Sequence, residues 1–150
     1  MGLDQYLYAR QYTSQFSKNP DLNKQLIGVS GASSWALPEF GSYIQVPVMY
    51  WRKENAIHQW FVDNCQGGVD DCRLSYVSRD QLKELLAVCV RVVENPALAS
   101  ELMPTQGGFF FGSTDYDEWY FAGLNETVKK IADLLACVSD EWEFYYQSSW

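Results

Sequence analysis

Gly107-Gly108-Phe109-Phe110-Phe111-Gly112-Ser113-Thr114-Asp115-Tyr116-Asp117-Glu118-Trp119-Tyr120 is the stretch on which the reading of the whole chain turns. Two glycines turn the backbone, and three consecutive phenylalanines call for the shelter of a buried strand. Gly112 releases that strand, Ser113 or Thr114 supplies a side-chain oxygen to cap a helix, and Asp115, Asp117 and Glu118 fall where a helix N-terminus favours negative charge. Backbone N–H groups at such a junction also suit an anionic ligand. The neighbouring acids oppose one unless Arg52, Lys53, Arg73 or Arg79 comes close, so ordinary capping is the stronger reading.

Working outward, the helix that starts here continues through Phe121, Leu124, Val128, Ile131, Leu135 and Val138 at 3/4 spacing. Gly123 and Asn125 interrupt it, which predicts a kink or two consecutive helices. The aromatic run Trp142 to Tyr146 predicts a last strand. At the other end, Leu3 to Arg10 alternates: Leu3, Leu7 and Ala9 fall on one side with Gln5 breaking the row, and Asp4, Tyr6, Tyr8 and Arg10 fall on the other. Between Gln11 and Ser42 the pattern dissolves. Asn19-Pro20 starts a short helix through Ile27, and a glycine- and serine-rich loop follows, with Trp35 and Leu37 as its anchors. Tyr43 to Tyr50 is a second strand with Ile44, Val46, Val48 and Tyr50 on one face, and Pro47 places it at an edge or on a bulge.

Trp51-Arg52-Lys53-Glu54 leads into a helix ending near Asn64, with Ile57, Trp60 and Phe61 as core and His58 on the flank. A turn spans Gln66 to Cys72, and Arg73 to Val77 adds a short strand. Ser78-Arg79-Asp80-Gln81 has the capping-box form ahead of the stripe Leu82, Leu85, Leu86, Cys89 and Val93. Asn95-Pro96 ends that helix, and Pro96 to Met103 forms another short one. The few short strands, one carrying proline, predict an α+β fold: a small, mainly antiparallel sheet of about four or five strands packed with three or four helices, as one domain over 1–150.

The net charge of −8 and pI near 4.5 disfavour nucleic-acid binding, which needs a basic face, and suit a basic partner surface. The chain opens with Met1-Gly2-Leu3-Asp4 rather than a basic region followed by an apolar run, and no stretch has the uncharged length of a membrane span. Cys65, Cys72, Cys89 and Cys137 read as reduced thiols in a cytoplasm, with Cys89 and Cys137 on apolar helix faces.

No Walker-type or dinucleotide-binding glycine pattern is present. Asp70 and Asp71, with Asp115, Asp117 and Glu118, are weak candidates for a divalent metal, without EF-hand spacing to support them. His58, the single histidine, is the only imidazole base on offer, and Glu54 stands four residues before it to orient it. Cys72 is its one conceivable nucleophilic partner, and the His58, Cys65, Cys72 spacing lacks the close cysteine pairs of zinc sites. The aromatic surplus (Tyr6, Tyr8, Tyr50, Trp51, Tyr116, Trp119, Tyr120) with Arg52, Asn55 and Gln59 suits either a ligand pocket or a protein interface.

Tyr50-Trp51-Arg52-Lys53-Glu54-Asn55-Ala56-Ile57-His58-Gln59-Trp60-Phe61 resembles a family of small, uncharacterised phage and prophage proteins that begin Met-Gly-Leu-Asp. They carry Tyr-Trp-Arg-Lys-x-Asn-x-Ile-His-x-Trp-Phe and then Gln-x-Gly-Val-Asp-x-Cys, matched here at Gln66, Gly68, Val69, Asp70 and Cys72. A third motif, Pro-Thr-x-x-Gly-Phe-Phe-Phe-Gly-Ser-Thr-x-Tyr-Asp-Glu, is matched from Pro104 to Glu118. Gln5 departs from the family, and the 11–42 region shows no likeness to it. The phosphoglycerate kinase name that some of these proteins carry does not fit 150 residues without its nucleotide signatures. The resemblance implies a phage or mobile-element accessory protein in a bacterial cytoplasm that acts by binding.

The leading expectation is a non-catalytic protein that engages a host protein, with inhibition of a host defence system as one outcome. The alternative is a small-molecule (nucleotide or metabolite) binder using Trp51, Arg52, Asn55, His58, Ser113, Thr114, Tyr116 and Trp119. A further alternative is a metal-dependent hydrolase using Asp70, Asp115, Asp117 and His58. No cofactor is expected, and the oligomeric state is left open.

Overall fold

Alternation along the first strand carries over into the computed structural model, which describes residues 2–150. β1 (Asp4–Thr13) runs three residues past the alternating stretch, and Leu3, Gln5, Leu7 and Ala9 are all buried. Gln5 belongs in that row because both ends of its amide are paired. It donates to the Glu54 carbonyl (3.1 Å) and accepts from the Glu54 N–H (3.2 Å), so the buried polar side chain is paired at both its nitrogen and its oxygen.

β2 (Ser42–Arg52) pairs with β1 on one side. Helices and a third strand intervene before β4 (Glu143–Ser149) pairs with β1 on the other side. β3 (Ser75–Val77) pairs with β4, giving the antiparallel order β2-β1-β4-β3. Pro47 satisfies both of its expected conditions: β2 is an edge strand, and its register slips where Leu7 faces Met49 but Tyr8 faces Pro47. The extra residue, Val48, is a bulge, and a bulge exchanges the faces of the strand beyond it. Val46 and Val48 stay on the helix side, Met49 and Trp51 turn into the core, and Tyr50 leaves the face predicted for it to join Tyr6 on the opposite one.

Among the described residues five helices form rather than three or four. α1 (Pro20–Val29) starts at its proline, although the Asn19 side chain makes no capping bond. α2 spans Asn55–Cys65, and α3 (Arg79–Glu94) carries the complete Ser78/Gln81 capping box. A 3-10 turn at Pro96–Leu98 leads into α4 (Ala99–Leu102), and α5 spans Glu118–Cys137. The core lies on one face of the sheet. Leu7, Met49, Trp51, Phe144 and Tyr146 from the strands meet Ile57 and Phe61 of α2, Leu82, Leu85 and Cys89 of α3, and Leu124 and Ile131 of α5. The α+β architecture with a small antiparallel sheet is therefore as the sequence predicts.

The phenylalanine run is a correction. Residues 107–117 form no strand, Phe109 is 95% exposed, and Phe110 and Phe111 are half-buried. β1 already has a partner on each side, so this segment has no edge next to β1 to join. It is held instead through its carbonyls. Phe110 O accepts from Leu3 N, and the buried Asn55 amide donates to Phe111 O (3.0 Å) and Ser113 O (2.8 Å). The cap of α5 is Asp117, whose Oδ1 accepts from Trp119 N and Tyr120 N, whereas Ser113 Oγ serves only the Asp115 N–H and Thr114 caps nothing.

Nor does α5 break at Gly123 or Asn125. Thr127 Oγ1 donates to Gly123 O and accepts from the Trp51 indole N–H (2.8 Å each), pinning the helix to β2 at the point of expected weakness. Trp35 and Leu37 are not anchors: they are exposed, and the 14–42 segment is held by polar bonds from Asn23 to Pro38 O and from Ser42 to Asn23. All four cysteines are free thiols, with Cys89 buried as expected and Cys137 exposed. No helix among the described residues is long and apolar enough to cross a membrane.

Candidate functional site

The expected ligand residues separate into three groups. Trp51 and His58 lie in the core, at 3% and 0% exposure. His58 is not on a flank, and Glu54 orients it only through the helical bond from His58 N to Glu54 O. Its ring nitrogens take Tyr146 OH at Nδ1 (2.8 Å) and Asp70 Oδ2 at Nε2 (2.9 Å), while Trp150 donates to Asp70 Oδ1. One neutral tautomer satisfies both imidazole bonds, Nε2–H donating to the carboxylate and Nδ1 accepting the phenol proton. The chain ties α2, the 66–72 turn and β4 together. Cys72 makes no bond to His58; its carbonyl accepts from Gln147.

Arg52, Asn55, Ser113 and Trp119 do come together, with Asp115 and Asp117, around a cleft of about 440 Å³ between the β2–α2 junction, the 105–117 loop and the first turns of α5. Thr114 and Tyr116 stand outside it. The Thr114 carbonyl accepts from Thr105 Oγ1, and the Tyr116 hydroxyl accepts from Thr105 N. Asp70 is with His58 and does not line the cleft, and among the described residues no three His, Cys, Asp or Glu side chains are placed to hold a metal ion. The cleft lining holds neither histidine nor cysteine.

Glu54 is the residue the sequence did not reveal. Its carboxyl lies against the backbone of α5 at Gly123, where any β-carbon would overlap it. Burial, then the Glu126 and Asp117 charges, push its pKa up from 4.5 to about 7, with no hydrogen bond or cation opposing the rise. The native state thus holds this proton more tightly than the unfolded chain. The contribution to stability is complete below pH 4.5 and is lost as pH rises through about 7. Glu54→Gln is expected to leave stability unchanged near pH 4.5 and to raise it by about 1–2 kcal/mol at pH 8, less than the full shift implies because the carboxyl keeps some water. Urea unfolding at the two pH values reads this directly. Equal midpoints for the two proteins at pH 8 would contradict it.

A second surface was half-visible in the alternation of β1. The sheet face away from the helices carries Tyr6, Tyr8 and Tyr12 of β1, Tyr43 and Tyr50 of β2, Tyr145 of β4 and Tyr76 of β3. The rings meet in three sets: Tyr6 stacks on Tyr8 (5.9 Å) and meets Tyr50 (5.2 Å), Tyr12 meets Tyr43 (5.1 Å), and Tyr76 meets Tyr145 (5.8 Å). Arg10 sits among them with its guanidinium carbon 3.9 Å from the Tyr43 centroid and 5.4 Å from that of Tyr145, its Nε buried without a partner. Tyr12, Tyr43, Tyr50 and Tyr76 are each about half exposed. At the Tyr12 end the surface runs on to the exposed Phe40, whose carbonyl accepts from Tyr12 OH. Burial raises the pKa of Tyr8 and Tyr145, so these phenols remain neutral hydrogen-bonding groups at physiological pH. No family model matches the chain, and no curated protein or solved structure matches it either.

Proposed function

We propose that this is a non-catalytic phage or mobile-element accessory protein that acts by binding a host protein, and that it binds through the open tyrosine face of its sheet. The observation that carries this reading is the tyrosine array itself. An antiparallel sheet needs only one covered face, and its other face is ordinarily polar and charged. Here that face presents contiguous Tyr side chains around a rigidly held Arg10, the residue types that anchor protein interfaces. Edge pairing on β2 is not the mode, because Pro47 and the Val48 bulge interrupt its ladder, and the other edge strand, β3, is only three residues long. The net charge of −8 favours a basic partner and speeds its encounter. Occupying a component of a host defence system is one consequence such binding has in a phage-infected cell.

The test is a pull-down from bacterial host lysate with the wild-type chain, followed by affinity measurement on the purified partner. Tyr8→Ser and Tyr145→Ser, both on the array, are each expected to weaken binding by about 30-fold, the effect of a central anchor. Trp119→Ala, in the cleft, is expected to leave affinity unchanged, and added salt to slow association. Equal affinity for wild type and the tyrosine variants would refute the face as the docking surface.

A further inference from the structure

We propose that the cleft floored by Glu54 is a second binding site, for a small organic cation bearing an ammonium or guanidinium group. The cation pairs with the Glu54 carboxylate and rests against the Trp119 ring. This site is separate from the tyrosine face and does not depend on it.

Three features of the cleft point the same way. The first is an unopposed acid. Glu54 is turned inward with no donor to its carboxyl among the described residues, and acids surround it: Asp115 from the loop, Asp117 at the head of α5 and Glu126 about two and a half turns further along. The two cations of the lining do not answer it. Arg52 lies 3.8 Å from Asp4 outside the cleft, and the Lys53 stem packs against Gly2 and Gly112. The remaining ionisable neighbour, Tyr120, is buried with its hydroxyl donating to Met103 O, and burial raises its pKa, so it is neutral. The lining therefore carries more negative than positive charge whether or not Glu54 is ionised.

The second feature is Gly123. A glycine inside a helix weakens it relative to alanine, and this one makes room for the Glu54 carboxyl. Two unfavourable choices, a helical glycine and a half-buried unpaired acid, meet at one point, and a cationic ligand resolves the second of them. The third is Trp119. It lines the cleft yet is 74% exposed, a flat π face beside a negative pocket, which is the arrangement that receives organic cations. A bare metal ion lacks its ligands here, since no set of three suitable side chains converges among the described residues. The volume, about 440 Å³, matches a small molecule.

Agmatine, which carries one guanidinium and one ammonium group, is the probe. Isothermal titration calorimetry on the whole chain is expected to show saturable one-site binding at about pH 8, at least tenfold weaker at about pH 5.5, where the Glu54 carboxyl is protonated and cannot pair. Glu54→Gln is expected to weaken binding at least tenfold at about pH 8 and to remove the pH dependence. Gly123→Ala displaces only the mobile end of the Glu54 side chain. It should keep or raise the melting temperature while losing agmatine, which separates loss of the site from loss of the fold. Trp119→Ala should weaken binding without moving its pH dependence. Absence of saturable agmatine binding by the wild type, undiminished binding by Glu54→Gln, or displacement of agmatine by equimolar MgCl2 would each overturn the assignment.

Discussion

Replacing His58 with alanine is expected to remove about 4 kcal/mol of folding stability, among the largest effects available from one side chain in this protein. The imidazole is fully buried, 5.2 Å edge-on from Phe111 and 6.2 Å from the Tyr146 ring, so its loss leaves a cavity that the packed core closes only in part. It also takes the His58 acceptor away from the fully buried Tyr146 hydroxyl, whereas Asp70 is about a quarter exposed and can rehydrate. Asp70→Asn keeps a carbonyl acceptor for Nε2–H and is expected to cost only about 1 kcal/mol. Urea unfolding at neutral pH checks both. A drop under about 1 kcal/mol for His58→Ala would mean that the chain from Tyr146 to Trp150 does not organise the core.

Phe61→Ala is expected to cost a similar amount, about 4 kcal/mol, by a different route. Phe61 lies flat on Tyr146, centroids 4.0 Å apart and planes 9° from parallel, with Trp51 5.7 Å away and Trp60 edge-on at 5.4 Å. No hydrogen bond is lost, so the cost is transfer and cavity alone. Both His58 and Phe61 hold the same Tyr146 ring, and the double variant should therefore fall short of the sum by about 0.5 kcal/mol or more. Trp35→Ala, on a ring 74% exposed, is the control and should move stability by less than about 0.5 kcal/mol.

What could be read from the residues alone was what depends on local period and capping. Alternation gave β1 and its tyrosine side, the capping box gave the start of α3, and Pro47 gave an edge and a bulge. What could not be read was decided by partners distant in sequence. Three phenylalanines look like a strand until β1 turns out to be paired on both sides, and the run becomes a loop held by Asn55 from fifty-odd residues away. The bulge at Val48 sent Tyr50 to the outer face, and nothing local distinguishes an inward Tyr146 from an outward Tyr145. Glu54 sits on the boundary of α2 in sequence, and only the helix glycine folded against it reveals the cleft.

The placement of β4 between β1 and β3 has a consequence for how the chain is made. β2 is complete once residue 52 has been synthesised, but β4 is not complete until residue 149, a gap of 97 residues. At about 5–20 residues per second that gap lasts about 5–20 s on the ribosome. Throughout it, β1 can pair with β2 as a hairpin, yet its other edge and its row of Leu3, Leu7 and Ala9 stay open to any neighbouring nascent chain. The yield of soluble protein is then governed by crowding and chaperone supply during translation, before the stability of the finished fold comes into play.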